Sequence, residues 1–256
     1  MRLLFIGDIV GPAGIEIVKK ELRELKETHK IDFIIANGEN ANSHDGITPS
    51  EADSLLFAGV DVITTGNHAF RQKSLYAYMD DSPFIVRPAN YPSASPGKGQ
   101  TIIGMPFGSV AVISLMGQFG TDAVDNPFLT ADKMLENLKA DYVFIDFHAE
   151  YTSEKKAFGY YMDGRVHGVF GTHTHVQTAD EQFLDKGTAY ITDVGMTGSM
   201  DSVLGVKKER SITRFLTRTP APYEKAEQSP AINAIVTDTD NRIIYRINQR
   251  KEEKND

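Results

Sequence analysis

Short apolar runs alternate with amphipathic stretches along most of this chain, and this alternation constrains the fold more than any other feature. The runs at residues 3–6 and 33–36 are wholly apolar, as is typical of strands that are buried on both faces. After Pro12, apolar residues recur every three or four positions, which predicts an amphipathic helix. We therefore expect an α/β protein whose central sheets are covered by helices.

The same reasoning predicts the other elements of the chain. Strands are expected at residues 60–63, 84–86, 101–103, 110–115, 142–146, 166–170, 189–192, 231–236 and 243–247. Helices are expected after Thr48, around residues 74–79, over 131–139 with Thr130 as the N-cap, and near 154–162. Residues 197–226 are expected to be irregular, and the loop at 87–99 is interpreted as an excursion within one sheet system.

Length and charge limit the classes of protein that fit. The chain has 256 residues, which predicts a single domain over residues 1–256 with a charged tail at about 250–256, although two domains are also compatible. With 27 Lys and Arg against 35 Asp and Glu, the net charge is −8. This charge gives no strong nucleic-acid-binding signal, although a local basic patch remains compatible with it.

Three absences in the sequence narrow the choice further. The chain has no Cys, which excludes disulfides, thiolate metal sites and cysteine nucleophiles. No run approaches the roughly 18 apolar residues of a membrane span, and the N-terminal residues lack the long apolar stretch of a secretory signal. We therefore expect no membrane association and a cytoplasmic location.

Five of the apolar runs end in polar residues that commonly bind metals. Because ligands bind beyond the carboxyl ends of strands in open α/β sheets, these residues are expected on one rim. The rim residues are Asp8, Glu39, Asn40, Asn67, His68, His148, His173 and His175. Glycine precedes the polar group at positions 7, 38, 66 and 171, where it permits a sharp exit and close approach of the backbone.

Each rim residue alone has an ordinary structural explanation, as a helix cap, a turn residue or a buried histidine. The coincidence of five strand ends with nitrogen or oxygen ligands favours a metal site instead. Imidazole and carboxylate suit zinc, manganese or iron. The set is too large for one tetrahedral ion but is sufficient for two ions that share a carboxylate, an arrangement that promotes in-line phosphoryl displacement.

The ordered blocks GD, GEN, GNH, HAE and GTHTH resemble those of the calcineurin-like metallophosphoesterases, and more narrowly of their bacterial YmdB-type branch. The runs FIGDIVGPAG, RPAN, HAEYTSEK, GTHTHVQTAD and GTAYITDVGMTG also have counterparts there, so the resemblance covers essentially the whole chain. It implies a four-layer metallophosphoesterase sandwich, with two central mixed β-sheets flanked by helices.

The resemblance also implies a set of ligands for each ion. The first ion would be held by Asp8, Glu39, Asn40 and His175, and the second by Glu39, Asn67, His148 and His173, with Glu39 bridging. The wider superfamily has histidine where this chain has Val10 and aspartate where it has Glu39. Both departures are features of the branch, and they imply that Asn40 replaces the missing histidine.

The activity implied by the resemblance is hydrolysis of small cyclic nucleotides, 2′,3′-cyclic ones first and 3′,5′-cyclic ones second. The implied cofactors are two divalent or trivalent metal ions, most often iron or manganese, and a homo-oligomer is left open. Two segments differ from the branch, Ala69-Phe70-Arg71 and residues 117–122. Because both are expected near the rim, they make the substrate preference less secure than the metal site.

Our mechanistic hypothesis is that a metal-bridging hydroxide attacks phosphorus in line with the leaving ribose oxygen. His68 follows the expected ligand Asn67 directly, so we assign it as the general acid that protonates the leaving oxygen. Ser43 and His44, in the loop after Glu39 and Asn40, are candidates for substrate binding. Glu150, Thr174 and Gln177 are candidates to orient the imidazoles.

Three alternative functions compete with this hypothesis. A phosphomonoesterase or nucleotidase would use the same metal pair and differ only in how the substrate is held. A non-catalytic regulatory or RNA-associated module would not need the complete ligand set. Dinucleotide binding at residues 7–14 fails because the glycine spacing is wrong and the other four motifs stay unexplained.

Overall fold

The computed structural model describes residues 1–250, excluding the side chain of Arg250, and forms two mixed β-sheets with helices outside them. The strands are β1 (Arg2–Ile6), β2 (Asp8–Ile9), β3 (Phe33–Asn37), β4 (Val62–Thr64), β5 (Ile85–Val86), β6 (Gln100–Met105), β7 (Gly108–Met116), β8 (Tyr142–His148), β9 (Gly168–Thr172), β10 (Gln182–Phe183), β11 (Ala189–Ile191), β12 (Met196–Ser199), β13 (Pro230–Asp238) and β14 (Ile243–Arg250). The helices are α1 (Gly11–His29), α2 (Pro49–Ala58), α3 (Leu75–Asp81), α4 (Pro127–Glu136), α5 (Thr152–Met162) and α6 (Lys208–Thr217). The charged tail expected at about 250–256 lies outside the described residues, apart from the backbone of residue 250.

The strand order places the chemically important strand ends at one edge of each sheet. The first sheet has the order β2-β12-β13-β1-β3-β4-β5, with β14 paired to β13. The second has the order β10-β11-β9-β8-β7-β6. Strands β1, β3, β4 and β5 are parallel, as are β7, β8, β9 and β11. Their carboxyl ends therefore lie together at the edge where ligands bind in such sheets.

The alternation of side chains along the strands produces three apolar layers. In β1, Leu4 and Ile6 pack towards α1 and α2, whereas Leu3 and Phe5 pack between the two sheets. On the far side of the second sheet, a third layer joins strand residues to Ala131 of α4 and to α5. Helix–sheet–sheet–helix is the four-layer sandwich that the resemblance implied, and the expected fold is confirmed.

Helix starts follow the capping chemistry of the sequence, with one correction. Thr48 caps α2 through a capping box with Glu51, as the position of Pro49 led us to expect. The predicted start of α4, with Thr130 as the cap, was wrong. The helix begins one turn earlier because the Asn126 side chain accepts hydrogen bonds from the amides of Phe128 and Leu129 and proline occupies the first helical position.

Two connecting segments also differ from expectation. The loop at 87–99 joins β5 of the first sheet to β6 of the second, so its interpretation as an excursion within one sheet system was wrong. Residues 197–226 include most of β12 and all of α6, although they were expected to be irregular. No side chain of α6 is buried, so the helix makes no contribution to the core. Within residues 1–250, none of the helices is both long and apolar enough to cross a membrane.

Candidate metal centre at the strand ends

The structure brings all eight rim residues together where the two sheets meet. Asp8 lies in β2, and the turns after β3 and β4 carry Glu39, Asn40, Asn67 and His68. From the second sheet, His148 ends β8, and His173 and His175 follow β9. The first sheet therefore contributes carboxylates, amides and one imidazole, whereas the second contributes three imidazoles.

His148 lies at the centre of the contacts between the two groups. Its Nε2 is 2.9 Å from Asn67 Oδ1, 3.1 Å from Glu39 Oε1 and 2.9 Å from His173 Nδ1. Ligand atoms of Glu39, His148 and His173 lie within 4.8 Å of one another. Four nitrogen and oxygen atoms that can bind a metal thus converge on a small volume, which is the arrangement that a metal cation stabilises.

The three imidazoles of the second sheet are each held from behind by a hydrogen-bond acceptor. His148 Nδ1 is 2.9 Å from Thr172 Oγ1, which donates in turn to Asp146 Oδ1 at 2.6 Å. His173 Nε2 is 3.1 Å from Glu150 Oε2, and His175 Nδ1 is 3.1 Å from the carbonyl oxygen of Leu204. When the nitrogen next to each of these acceptors donates, the neutral imidazole has a lone pair on its other nitrogen, which faces the site and can bind a metal.

Burial and charge make the carboxylates of the centre electrostatically unusual. Burial raises the pKa of Asp8 to about 8, against the opposing effect of His148. Burial also opposes the ionisation of Glu39, but the charge and hydrogen bond of His148 lower its pKa well below the usual range. Burial acts to lower the pKa of His148, yet Glu39 raises it to about 9. Without a cation, the buried charge of Glu39 is thus balanced by His148 and that of Asp8 is disfavoured; a bound cation would stabilise both carboxylates.

The Asp8 carboxylate is incompletely satisfied by the protein itself. Its Oδ2 accepts a hydrogen bond from the His173 amide at 3.1 Å, whereas the buried Oδ1 has no hydrogen-bond partner within residues 1–250. This oxygen is 3.8 Å from His148 Nδ1 and 3.9 Å from His175 Nε2. An unpartnered buried carboxylate oxygen costs free energy, and a metal ligand is one role that explains it.

Asn40 and His68 form a pair beside Glu39. His68 Nδ1 is 2.9 Å from Asn40 Oδ1, and the His68 amide donates to Glu39 Oε2 at 3.0 Å. Asn40 Nδ2 is 3.1 Å from Glu39 Oε1 and 3.2 Å from His175 Nε2. The Asn40 Nδ2 atom therefore faces the other expected ligands, Glu39 and His175. Because a metal would bind the side-chain oxygen, metal binding by Asn40 requires a rotation of its amide group that exchanges Nδ2 and Oδ1.

The backbone around the site is adapted to close packing. A Cβ at Gly66 would lie 2.4 Å from His148 Nε2 and 2.5 Å from Glu39 Oε2, so glycine is required for close approach at this position. His173 and His175 have φ values of +100° and +64°, which are uncommon for residues with a side chain. Such backbone strain is typical of functional sites.

Sequence reasoning missed the buried polar network beneath the imidazoles. Asp146 accepts hydrogen bonds from Asn37 and Thr64 of the first sheet and from Thr172 of the second. Lys155, 1% exposed, donates to Thr172 O and Asp193 Oδ2, both at 2.6 Å. A charged residue within an apolar strand, as in residues 142–148, was the signal for Asp146.

Asp193 and the other expected supporting residues have different roles. Asp193 accepts hydrogen bonds from the amide and hydroxyl of Thr174 at 3.1 and 2.8 Å, which fixes the segment between the two histidines. Thr174 therefore contacts Asp193 and not an imidazole, and Gln177 Nε2 donates to three backbone carbonyls. Of the three supporting residues that we expected, Glu150 alone contacts an imidazole.

Ser43 and His44 lie in an exposed loop between β3 and α2. Within residues 1–250, neither side chain has a hydrogen bond to the rim residues; the His44 amide donates to Asn42 Oδ1 at 2.9 Å. Their assignment to substrate binding stays a prediction.

The donor set fits a pair of borderline metal ions. It offers carboxylate and amide oxygens and inward-facing imidazole nitrogens, with no thiolate, and it surrounds an unpartnered carboxylate oxygen. A centre of this kind, at the strand ends of a four-layer α/β sandwich, defines the class of the metallophosphoesterases.

Comparison with known proteins identifies the family within that class. The model of the YmdB-like protein family matches residues 4–249. A 2′,3′-cyclic-nucleotide 2′-phosphodiesterase of Bacillus subtilis (strain 168) is 48% identical over 244 residues, which are 94% of this chain and 92% of the relative. This chain therefore belongs to the YmdB-like family, and the resemblance seen in the sequence is confirmed.

Two solved structures have the same fold over almost the entire chain. A hypothetical protein from Thermus thermophilus superposes with a TM-score of 0.94 at 40% identity, covering 98% of this chain and 100% of that one. A protein described as a novel phosphatase from Mycoplasma pneumoniae gives a TM-score of 0.91 at 32% identity, covering 99% and 95%. The names of the Bacillus subtilis and Mycoplasma pneumoniae relatives, a phosphodiesterase and a phosphatase, support the predicted class of enzyme, a phosphoric diester hydrolase.

Proposed function

We propose that the protein is a two-metal phosphodiesterase that hydrolyses 2′,3′-cyclic nucleotides, with 3′,5′-cyclic nucleotides as a second substrate. The observation that carries this proposal is the orientation of the three second-sheet imidazoles, each of which turns its inner nitrogen towards the carboxylates. The name of the Bacillus subtilis relative supports the choice of the 2′,3′-cyclic substrate.

We propose two sets of metal ligands that share Glu39. Asp8, Asn40 and His175 would hold one ion and Asn67, His148 and His173 the other, with Glu39 shared. The convergence of Glu39, His148 and His173 supports the second set, whereas the unpartnered oxygen of Asp8 supports the first. Iron or manganese ions bound there would neutralise the phosphate charge and activate the attacking water.

His68 is proposed as the general acid. His68 Nδ1 lies 2.9 Å from the Asn40 side chain. When the Asn40 amide is turned so that Oδ1 binds the metal, its Nδ2 would donate to His68 Nδ1, which leaves the proton on Nε2. The His68 side chain is 21% exposed, so a leaving oxygen can reach it while the imidazole stays anchored. In the proposed step the water oxygen bonds to phosphorus, the ester bond to O2′ breaks, and O2′ takes the proton from Nε2.

The test combines metal content with three substrates. The purified protein is analysed for bound metal and assayed with a 2′,3′-cyclic nucleotide, a 3′,5′-cyclic nucleotide and a phosphomonoester. The proposal predicts two ions per chain and cleavage of the cyclic diesters, which is lost in Glu39→Gln. Metal binding without turnover of any of the three substrates would favour the non-catalytic regulatory or RNA-associated module.

A phosphomonoesterase or nucleotidase on the same site is the second candidate. The description of the Mycoplasma pneumoniae relative as a phosphatase favours it. A preference for the phosphomonoester in the same assay would select this candidate over the diesterase. The cytoplasmic location, the single domain over residues 1–256 and a homo-oligomer remain predictions.

A further inference from the structure

One segment of this acidic protein is strongly basic. Residues 207–225 contain six Lys or Arg and two Glu, for a net charge of +4, so the rest of the chain carries −12. Arg210, Lys207 and Lys208 are paired with acidic neighbours. Arg214 and Arg218 have no ion-pair partner within residues 1–250. Two unpaired guanidinium groups in one basic segment form an attractive site for an anion.

These two arginines line a cavity of about 830 Å³ between α6 and the loop that follows it. Aromatic and aliphatic side chains share the lining, among them Leu204, Phe215 and Tyr223. Phe215 is 71% exposed and Tyr223 56% exposed. Arginine together with exposed aromatic rings is the combination that binds single-stranded nucleic acid, through phosphate contacts and base stacking.

The cavity borders the candidate metal centre. Leu204, which lines it, accepts through its carbonyl oxygen the hydrogen bond from His175 Nδ1 at 3.1 Å. Lys225 Nζ lies 5.3 Å from the ring centroid of Tyr223, which also lines the cavity, and binds Asp45 Oδ1 at 2.8 Å, in the loop that carries Ser43 and His44. The cavity therefore lies behind His175, with one imidazole ring between it and the metal centre, so a nucleotide bound in it can be linked to a phosphate held at that centre.

We propose that this cavity binds the nucleotides that precede a terminal 2′,3′-cyclic phosphate, so that short oligoribonucleotides with such an end are substrates. The inference rests on the proposed function, because the cyclic phosphate is opened at the same metal centre by the same step. The rest of the oligonucleotide takes no part in that step, and its phosphates pair with Arg214 and Arg218.

A second copy of this chain is a less favourable occupant. In a twofold dimer the same patch lies on both sides of the interface, so α6 against α6 would bring two basic segments together. A single-stranded oligonucleotide instead supplies negative charge and stackable bases. The net charge of −12 outside residues 207–225 then favours short oligonucleotides, because longer ones would extend beyond the basic segment.

The experiment compares uridine 2′,3′-cyclic phosphate with a tri-uridylate that ends in the same cyclic phosphate. In the metal-loaded wild-type protein, kcat/KM is expected to be about ten-fold higher for the trinucleotide at low salt. This advantage disappears in Arg214→Ala/Arg218→Ala and is largely kept in Arg214→Lys/Arg218→Lys.

The control Lys19→Ala/Arg23→Ala removes two exposed charges from α1 and keeps the advantage. Raising the salt concentration lowers the advantage in the wild type.

Binding of the 3′-phosphorylated products, measured by calorimetry, supplies a readout that is independent of turnover. Equal kcat/KM for the two substrates, or an advantage that survives in the double alanine variant, would overturn the inference while leaving the proposed function intact. Sedimentation that shows loss of an oligomer in Phe215→Ser/Leu216→Ser, with an unchanged trinucleotide advantage, would assign the surface to a second copy. Failure to hydrolyse either substrate, with arginine-dependent product binding retained, would instead reject the proposed function.

Discussion

The two sheets contribute opposite kinds of chemistry to the same centre. The first sheet supplies Asp8 and Glu39, two buried carboxyl groups whose ionised forms need the other sheet or a cation for compensation. The second sheet supplies three imidazoles, each already oriented by an acceptor behind it. The second-sheet half of the centre, with its three imidazoles, is therefore preorganised by the protein. The first-sheet half, with its two carboxyl groups, is completed by the cation that it binds.

The first-sheet half is expected to be the more sensitive to substitution. Glu39→Gln keeps the size of the side chain but removes the charge that two ions would share, so hydrolysis and at least one bound ion should be lost. Metal analysis and the cyclic-nucleotide assay check this result. The matched control is Glu150→Gln, which alters only the support of His173 and should lower metal affinity by about 10- to 100-fold. Equal effects of the two substitutions would contradict the difference between the halves.

Substitution of His68 distinguishes catalysis from metal binding in the first-sheet half. His68→Ala removes the proposed proton donor but none of the proposed ligands, so kcat should fall by about 100- to 10,000-fold while the metal content stays unchanged. Turnover and metal stoichiometry are measured on the same preparation. Parallel loss of metal and activity would show that His68 is a ligand instead.

Metal binding by the second-sheet half can be weakened by removing a hydrogen bond that orients one of its imidazoles. Thr172→Val removes the hydroxyl that connects His148 to Asp146, so the imidazole loses its fixed orientation. Metal affinity should fall by about 10- to 100-fold, as measured by competition with a chelator. Thr172→Ser restores the hydroxyl and should restore the affinity. An unchanged affinity in the valine variant would mean that His148 needs no support.

A histidine away from the rim provides the smallest expected effect. His167 Nδ1 accepts a hydrogen bond from the Val143 amide at 3.1 Å, and burial lowers its pKa. The unfolded chain therefore binds a proton at this residue more readily than the folded one. The free energy of unfolding should decrease as the pH falls below about 6.5, and less so in His167→Gln. Denaturant titrations at several pH values measure this slope, and an identical slope in both proteins would contradict it.

The sequence was sufficient to predict that the rim residues lie together, because they follow directly after short buried strands. Parallel strands bring their carboxyl ends to one edge, so position along the chain predicted position in space for Glu39, His148 and His173. The glycine before Asn67 was interpreted correctly as a position of close approach. The alternation predicted central sheets covered by helices, whereas the four-layer arrangement was implied by the resemblance.

The features that were not predicted have separate causes. The partnership of Lys155 with Asp193 joins α5 to the segment after β11, and neither residue signals it alone. The start of α4 depends on which of two polar residues, Asn126 or Thr130, caps the helix. Helix α6 buries no side chain, but its apolar residues Ile212, Phe215 and Leu216 have helical spacing, and this signal was overlooked.

The location of bound metal tests the central claim most directly. Crystals grown with Mn²⁺ are measured for anomalous scattering at the manganese absorption edge. Two peaks separated by about 3.5–4 Å are predicted, both next to Glu39, one beside Asp8 and His175 and the other beside His148 and His173. A single peak, or none near these residues, would contradict the two-metal centre.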